Sequence, residues 1–214
     1  MDRLAVMRTT PTAPRREPTR DELIFLQQWL REPTRIGAVA PSSPRLAAAI
    51  TVAIPADGAP VVVELGPGTG AFTGEIQRRL GGRGRHIAVE INPGFARHLR
   101  SRFPTLDVAE ADAEHLPATL AARGLTTADV VVSSLPWASF GPALQRRLTD
   151  AVTTTLSPDS VFATFAYLHA QHLPQARRFR TLLGERFAEV TVGHTVWCNL
   201  PPAYVLQARR PRRP

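Results

Sequence analysis

The sequence has a single cysteine, no lysine and no long apolar run. Cys198 is alone among 214 residues, which excludes an intramolecular disulfide framework and a multi-cysteine metal site, and is typical of a reducing compartment. The longest apolar stretch, residues 46–56, is interrupted by Pro55 and is shorter than the roughly 18–20 residues that cross a bilayer. The basic N-terminus lacks the apolar segment of a signal peptide. These absences predict a cytoplasmic protein that does not span a membrane.

Because lysine is absent, all 26 basic residues are arginine, and with 18 acidic residues they give a net charge of +8. Arginine binds phosphate in a bidentate manner, so anionic lipid and nucleic acid are both candidate partners. A GC-rich genome would also produce many arginines, alanines and prolines without lysine. The excess charge permits a polyanionic partner under either explanation.

The first 45 residues differ in pattern from the rest. Residues 1–18 contain three prolines and scattered arginines, which predicts a disordered basic arm. A capping-box pattern at residues 19–22 then begins an amphipathic helix, whose apolar stripe at residues 23–30 ends before Pro33. This stripe either packs on the domain or lies in a membrane interface. We therefore treat residues 19–45 as a helix and loop that precede a single domain at residues 46–210.

Strands and helices alternate along that domain. Seven apolar, β-branched runs predict strands at residues 61–65, 86–90, 106–110, 129–134, 161–167, 188–196 and 203–208. Helical patterns occupy residues 73–80, 95–102, 115–123, 142–156 and 176–187. The connector between the last two strands is too short for a crossover helix, so these strands form an antiparallel hairpin. The predicted fold is α/β and Rossmann-like: a seven-stranded, mostly parallel sheet with a C-terminal antiparallel hairpin and helices on both faces.

A glycine-rich turn follows the first predicted strand. Glu64 precedes Gly66, Gly68 and Gly70, and a helix follows, which is typical of a backbone that approaches a ligand at a helix N-terminus. The spacing also satisfies a dinucleotide fingerprint. A carboxylate at Glu64 would repel a pyrophosphate and would favour a cationic ligand, so this alternative is the weaker one.

Two further carboxylates follow the next strands. Glu90 ends the second strand, 20 residues beyond Gly70, where a carboxylate accepts hydrogen bonds from ribose hydroxyls. Asp112 follows the third strand and either accepts the amine of an adenine or caps a helix. Because carboxyl ends of parallel strands meet at one edge of a sheet, the pattern predicts an adenosyl pocket there.

These motifs, together with GAVAPSS, AVEINPGF, SSLPW and VWCNLPPAYV, resemble the class I S-adenosylmethionine-dependent methyltransferases, and more narrowly the bacterial phospholipid N-methyltransferases. The resemblance extends over residues 23–210. It implies that S-adenosylmethionine is bound by Glu64, Gly66, Gly68, Gly70, Glu90, Ile91, Asp112, Ala113 and Ser134. It also implies a lid formed by Pro41, Ser42 and Ser43, and a membrane-contacting helix before it.

The SSLPW segment corresponds to the part of this family that lies beside the transferred methyl group. The resemblance assigns the catalytic roles to Ser134, Leu135 and Trp137. The carbonyls of the first two would accept hydrogen bonds from an amine, and the indole would face the cation that forms. Trp137 is alternatively a plain core aromatic. Enzymes that methylate adenine in nucleic acid usually have Asn or Asp where Ser134 stands, and the related RNA dimethylases carry a further helical domain, so a nucleic-acid acceptor is less expected.

A phospholipid acceptor requires partners for its phosphate. The candidates are Tyr167, His169, Arg177, Arg178 and Tyr204, with Arg180 beside them. The arginines are alternatively a solvated helix face. His169 and His172 have no carboxylate placed to complete a metal site, so no metal is expected.

The sequence therefore predicts a cytoplasmic N-methyltransferase, peripheral at an anionic inner-membrane surface, that methylates the ethanolamine head group of a phospholipid. Two alternatives stay open. One is a small-molecule or ribosomal RNA adenine amine methyltransferase on the same scaffold. The other is a non-catalytic protein whose cofactor pocket regulates lipid or nucleic-acid binding.

Overall fold

The computed structural model describes residues 42–212 of the chain. These residues form a seven-stranded sheet with helices on both faces. The strands are β1 (Val61–Leu65), β2 (Arg85–Glu90), β3 (Asp107–Glu110), β4 (Ala128–Ser133), β5 (Leu156–Tyr167), β6 (Phe187–Val196) and β7 (Ala203–Pro211). The helices are α1 (Pro44–Ile50), α2 (Thr73–Leu80), α3 (Pro93–Arg102), α4 (Leu116–Ala121), α5 (Pro142–Thr155) and α6 (Pro174–Arg186). The seven strands predicted from the sequence are all present.

The strand order is β3-β2-β1-β4-β5-β7-β6. Strands β1 to β5 are parallel, whereas β7 runs antiparallel to both β5 and β6. The central strands consist of buried β-branched residues, as is usual where helices cover both faces of a sheet. The predicted Rossmann-like sheet and its C-terminal antiparallel hairpin are confirmed.

The two helix layers have separate apolar cores. Helices α4, α5 and α6 pack on one face through residues such as Leu120, Val152 and Leu183. Helices α1 and α2 cover the other face through Ile50 and Ile76, and α3 joins them with a smaller cluster. The strand order reverses between β1 and β4, where open parallel sheets bind ligands outside the carboxyl ends of their strands.

Local capping explains where the helices begin. The Ser43 hydroxyl accepts the Leu46 N–H at 3.2 Å, and Pro44 occupies the first turn of α1. Asn92 caps α3 in the same way and is also followed by proline. An oxygen acceptor followed by proline is a strong start signal, because proline has no N–H to leave unpaired.

Some predicted boundaries were wrong. Strand β5 begins at Leu156, not at residue 161, because Leu156 pairs with Ala128 and Ser160 Oγ donates to the Ala128 carbonyl at 2.7 Å. The helix predicted at residues 115–123 is a 3-10 turn at Ala113–His115 followed by the shorter α4. The helix predicted at residues 176–187 begins at Pro174, and Phe187 already belongs to β6.

The basic arm, the apolar stripe at residues 23–30 and Pro41 lie outside the described residues, and the proposed domain limits stay a prediction. Within residues 42–212, no helix is long and apolar enough to cross a membrane.

Candidate active site

The glycine-rich turn lies at the carboxyl end of β1. Gly66, Gly68 and Gly70 have φ angles of 66°, 57° and 84°, a backbone region that only glycine adopts readily. A Cβ built on Gly66 would lie 2.8 Å from Leu135 Cδ2, so this glycine lets the segment after β4 pack against the turn. A Cβ on Gly68 would meet nothing within 4 Å. The turn therefore leaves open space above Gly68, where a ligand can approach the backbone.

Glu64 is a fully buried carboxylate with one unsatisfied oxygen. Its exposed fraction is 0%, and Oε2 accepts the Thr73 hydroxyl at 2.8 Å. His86 Nε2 lies 3.2 Å from the same oxygen, although neither ring nitrogen of His86 has a hydrogen-bond partner. Within residues 42–212, no donor reaches Oε1. A buried carboxylate oxygen without a donor is costly, so the site has a vacant acceptor for a cationic or N–H group.

Glu90 closes β2 and ties the glycine turn to the next loop. Its Oε2 accepts the Gly68 N–H at 3.0 Å and its Oε1 accepts the Asn92 N–H at 2.8 Å. Burial raises the pKa of the Glu90 carboxyl, and the backbone N–H groups of Asn92 and Gly68 oppose that shift. Each oxygen retains a second lone pair, so this carboxylate can still accept two hydroxyl groups such as those of a ribose. Ile91 follows it in a half-buried position.

Asp112 caps the turn after β3. Its Oδ1 accepts the Glu114 N–H at 2.9 Å, and Ala113 behind it is buried. The Ala111 N–H donates to the Glu90 carbonyl at 3.2 Å, which brings the ends of β2 and β3 together. The helix-capping alternative for Asp112 is therefore realised, and a contact with adenine stays a prediction.

The segment after β4 crosses the end of β1. The Ser134 N–H donates to the Leu65 carbonyl at 2.9 Å, and the Leu135 carbonyl accepts the Trp137 N–H at 2.9 Å. Among the described residues, no donor reaches the Ser134 carbonyl. Of the two carbonyls expected to receive an amine, that of Ser134 is therefore the one with full acceptor capacity.

Trp137 is a core residue as well as part of the cavity wall. Its ring stacks on Phe179 with centroids 4.3 Å apart and meets Phe140 and Phe162 edge-on. The indole N–H donates to Ser133 Oγ at 3.0 Å. Because Phe179 covers one face of the ring, most contacts of Trp137 are those of a core aromatic residue. A contact with a cation stays a prediction.

A cavity of about 160 Å³ opens beside this segment. Its wall is mostly apolar and is formed by Leu135, Pro136, Trp137, Phe165, Ala166, Leu173, Phe179 and Leu206, among others. Its polar lining residues are Ser134, Ser139, Tyr167, His169, Arg180 and Tyr204. An apolar cavity with a few convergent polar groups is the usual form of a small-ligand site.

The predicted acceptor residues separate into two groups. Tyr167, His169 and Tyr204 line the cavity, whereas Arg177 and Arg178 lie at exposed positions of α6 and do not. Arg180 on the same helix does line it. Burial raises the pKa of the Tyr167 phenol, so this group remains a neutral donor.

Tyr204 lines the cavity with a buried hydroxyl that makes no hydrogen bond within residues 42–212. Its side chain is 4% exposed. Tyr204 lies on β7, next to the edge strand β6, and pairs with Ala166 of β5 and Thr195 of β6. The phenol is therefore a fixed donor with nothing to bind within the described part of the chain.

Sequence reasoning missed two residues near the site. His86 pairs with Val62 on β1, which puts its ring on the face that carries Glu64, but this requires the register between β1 and β2. Asn199 is buried, and its Oδ1 accepts the Ser43 N–H at 2.8 Å. This bond links the predicted lid to the β6–β7 connector across 156 residues, a separation that no local pattern reveals.

Comparisons with known proteins identify the family and the fold. Residues 62–159 match the family model described as a methyltransferase domain. An ornithine lipid N-methyltransferase from Singulisphaera acidiphila is 40% identical over 187 residues, which cover 86% of this chain and 93% of the relative. An S-adenosylmethionine-dependent O-methyltransferase from Thermotoga maritima has a TM-score of 0.61 at 15% identity and covers 86% of this chain and 72% of its own. Human methyltransferase-like protein 13, solved with S-adenosylhomocysteine, has a TM-score of 0.57 at 19% identity and covers 77% of this chain and 78% of its own.

The fold and the carboxylate-flanked glycine turn define a Rossmann-like S-adenosylmethionine-binding domain. The chain belongs to the class I S-adenosylmethionine-dependent methyltransferases. The residues present fit that cofactor, because the vacant Glu64 oxygen suits an ammonium group and the space above Gly68 admits a ligand against the backbone. The predictions of family, fold, enzyme class and cofactor are confirmed.

Proposed function

We propose that this enzyme methylates the amine of a membrane-lipid head group. The observation that carries the proposal is the apolar cavity that begins at Ser134, directly beside the glycine turn. The cavity is lined by Arg180 and by Tyr204, whose hydroxyl makes no hydrogen bond within residues 42–212. The similarity to an ornithine lipid N-methyltransferase over nearly the whole chain supports the same acceptor class. S-adenosylmethionine supplies an electrophilic methyl group when it is bound.

In this proposal the residues around β1 to β3 hold the cofactor. Glu64 Oε1 accepts the cofactor's amino group, and Gly66, Gly68 and Gly70 let its methionine half approach the backbone. The remaining contacts are assigned to the ribose and the adenine: Glu90 binds the hydroxyls, and Ile91, Asp112 and Ala113 surround the base. Ser134 would contact both the cofactor and the acceptor, because it is bonded to the end of β1 and lines the cavity.

The cavity residues orient the acceptor amine and exclude water. The Ser134 carbonyl would accept a hydrogen bond from the neutral amine and so orient its nitrogen for transfer of the methyl group that the cofactor supplies. Leu135 packs on the glycine turn and keeps this carbonyl in register with it. Trp137, fixed by Phe179, is a positioning residue that completes the dry wall.

The anionic part of the head group requires donors. Arg180 supplies a guanidinium at the cavity, and the phenol of Tyr204 supplies a buried donor, with Tyr167 and His169 beside them. A guanidinium binds carboxylate and phosphate equally well in a bidentate manner. Ornithine lipid is therefore the first acceptor to test, because of the similar relative, and the ethanolamine head group of a phospholipid is the second. Arg177 and Arg178 are better assigned to the protein surface, where they favour peripheral association with anionic lipid.

The test is transfer of radiolabelled methyl from S-adenosylmethionine by the full chain. Separate reactions contain ornithine lipid, phosphatidylethanolamine, amine-free phosphatidylglycerol, total RNA and a soluble amine-metabolite fraction. We expect label in one or both amine lipids and none in phosphatidylglycerol. Label confined to RNA or soluble metabolites would contradict the lipid acceptor. Cofactor binding without any transfer would favour the non-catalytic alternative.

A further inference from the structure

The β6–β7 connector, residues 197–202, exposes an apolar pair. Trp197 is 71% exposed and Leu200 is 65% exposed, which makes them the two most exposed large apolar side chains among residues 42–212. Exposed apolar side chains that are grouped on one loop form a candidate surface for contact with a partner. Tryptophan is also the side chain most suited to a lipid–water interface, because its ring is apolar and its N–H is polar.

The connector presents this pair from a well-anchored turn. The buried Asn199 accepts the Ser43 N–H at 2.8 Å, and its Nδ2 donates to the Pro201 carbonyl at 2.7 Å. The Leu168 N–H donates to the Pro202 carbonyl at 2.9 Å. The Asn199 side chain and the Pro202 carbonyl are bonded to the rest of the domain, whereas the side chains of Trp197 and Leu200 are exposed to solvent.

The connector lies at the same edge of the sheet as the cavity. Tyr167 at the end of β5 and Val196 at the end of β6 both pair with Ala203. The connector therefore leaves the sheet at the same level as the end of β5, which contributes to the cavity wall. The ends of β5 and β6 are separated by two strand spacings, about 10 Å. Leu173, which is 47% exposed and lines the cavity, is a further exposed apolar side chain on the cavity side of the domain.

The charge near the cavity suits an anionic lipid surface. Helix α6 starts one residue after Leu173 and carries exposed Arg177, Arg178 and Arg180, with no acidic residue in its first turn. The whole chain has a net charge of +8. Basic residues beside exposed apolar side chains are the combination that binds anionic bilayers.

We propose that Trp197 and Leu200 insert into the interfacial region of an anionic lipid bilayer and bring the cavity mouth to the membrane. This inference rests on the proposed lipid acceptor and adds the surface by which the enzyme reaches it. The surface consists of different residues from the predicted contact at residues 23–30, so each can be tested with its own variants.

The native Cys198 allows a direct test, because it is exposed within the connector and is the only cysteine. A nitroxide attached to Cys198 of the full chain is measured by electron paramagnetic resonance with vesicles of phosphatidylglycerol and phosphatidylcholine. We expect vesicles to raise its accessibility to oxygen and to lower its accessibility to a water-soluble nickel chelate. The matched control carries the label at Val192→Cys in a Cys198→Ser background, because Val192 is 51% exposed on β6 and lies roughly 16 Å further along the strand.

An unchanged Cys198 label on addition of vesicles would overturn the proposal, as would a label that is already shielded from the chelate before vesicles are added. The double variant Trp197→Ser/Leu200→Ser should bind these vesicles about 10-fold more weakly, and Val192→Ser should bind like the native chain. Equal binding of the double variant and the native chain would also overturn it.

The same samples separate this proposal from the proposed function. Membrane entry of the Cys198 label without methylation of any amine lipid would support the docking surface and contradict the lipid acceptor. Methylation of vesicle lipid with a label that stays in water would support the acceptor and overturn the docking surface.

Discussion

Replacing Tyr204 by phenylalanine should affect stability and catalysis in opposite directions. The hydroxyl is buried without a partner, so it pays a desolvation cost in the acceptor-free protein and gains no hydrogen bond. Removing it should raise the free energy of unfolding by about 1 kcal/mol. For a domain of this size, that corresponds to an increase in Tm of about 2–4 °C.

In the proposed acceptor complex, the same hydroxyl would donate to the anionic part of the head group. A hydrogen bond to a charged group contributes about 1.5–3 kcal/mol, so kcat/KM for the lipid should fall by about 10- to 100-fold. The fall should be the same at saturating and subsaturating S-adenosylmethionine, because Tyr204 lies in the acceptor cavity and not at the glycine turn.

Thermal unfolding and steady-state methylation of lipid in mixed micelles measure both effects. Tyr167→Phe is the matched control, since Tyr167 lines the same cavity but its hydroxyl is not an orphaned buried group. Its Tm should stay within about 1 °C of the native value. A Tyr204→Phe variant that is less stable and fully active would refute the reasoning. The hydroxyl would then make a stabilising hydrogen bond in the free protein and none to the lipid head group.

Three further substitutions test the rest of the site. Gly68→Ala should weaken cofactor binding, measured by calorimetry, at least 10-fold, whereas the control Gly81→Ala should not. Both glycines have φ near 56° and open space around a Cβ, so each variant should lose only about 1 kcal/mol of stability. The raised pKa of Glu90 means that the folded state holds its proton more tightly, so stability falls as pH rises from the ordinary carboxyl range toward neutrality. Glu90→Gln should reduce that fall in urea unfolding at two pH values and weaken cofactor binding about 10-fold. Trp137→Leu should cost about 2–4 kcal/mol in the same unfolding assay, because it removes the stack on Phe179. An unchanged unfolding free energy would contradict its position in the core.

Local patterns predicted the features that depend on neighbouring residues. The strand at residues 61–65, the glycine turn and the final hairpin each follow from periodicity or connector length, and all are present. The start of β5 was missed because residues 142–156 were predicted as a helix, whereas Leu156 belongs to a strand through its pairing with Ala128.

The details of the site depend on distant pairs, which one sequence does not encode locally. Glu90 accepts the Gly68 N–H across 22 residues, and Ser43 donates to Asn199 across 156. The placement of Arg180 at the cavity and of Arg177 on the surface depends on how α6 packs on the sheet. The residue types of the site could therefore be listed from the sequence, whereas packing decided that Arg180 lines the cavity and Arg177 does not.

The central claim is that an amine lipid is the acceptor. The most direct measurement is mass spectrometry of the head group after the full chain is incubated with S-adenosylmethionine and vesicles that contain ornithine lipid and phosphatidylethanolamine. We expect methyl groups on the head-group nitrogen of at least one of these lipids, and much less product with Tyr204→Phe. Unmodified lipids in a sample that binds the cofactor and methylates a soluble amine or RNA would contradict it.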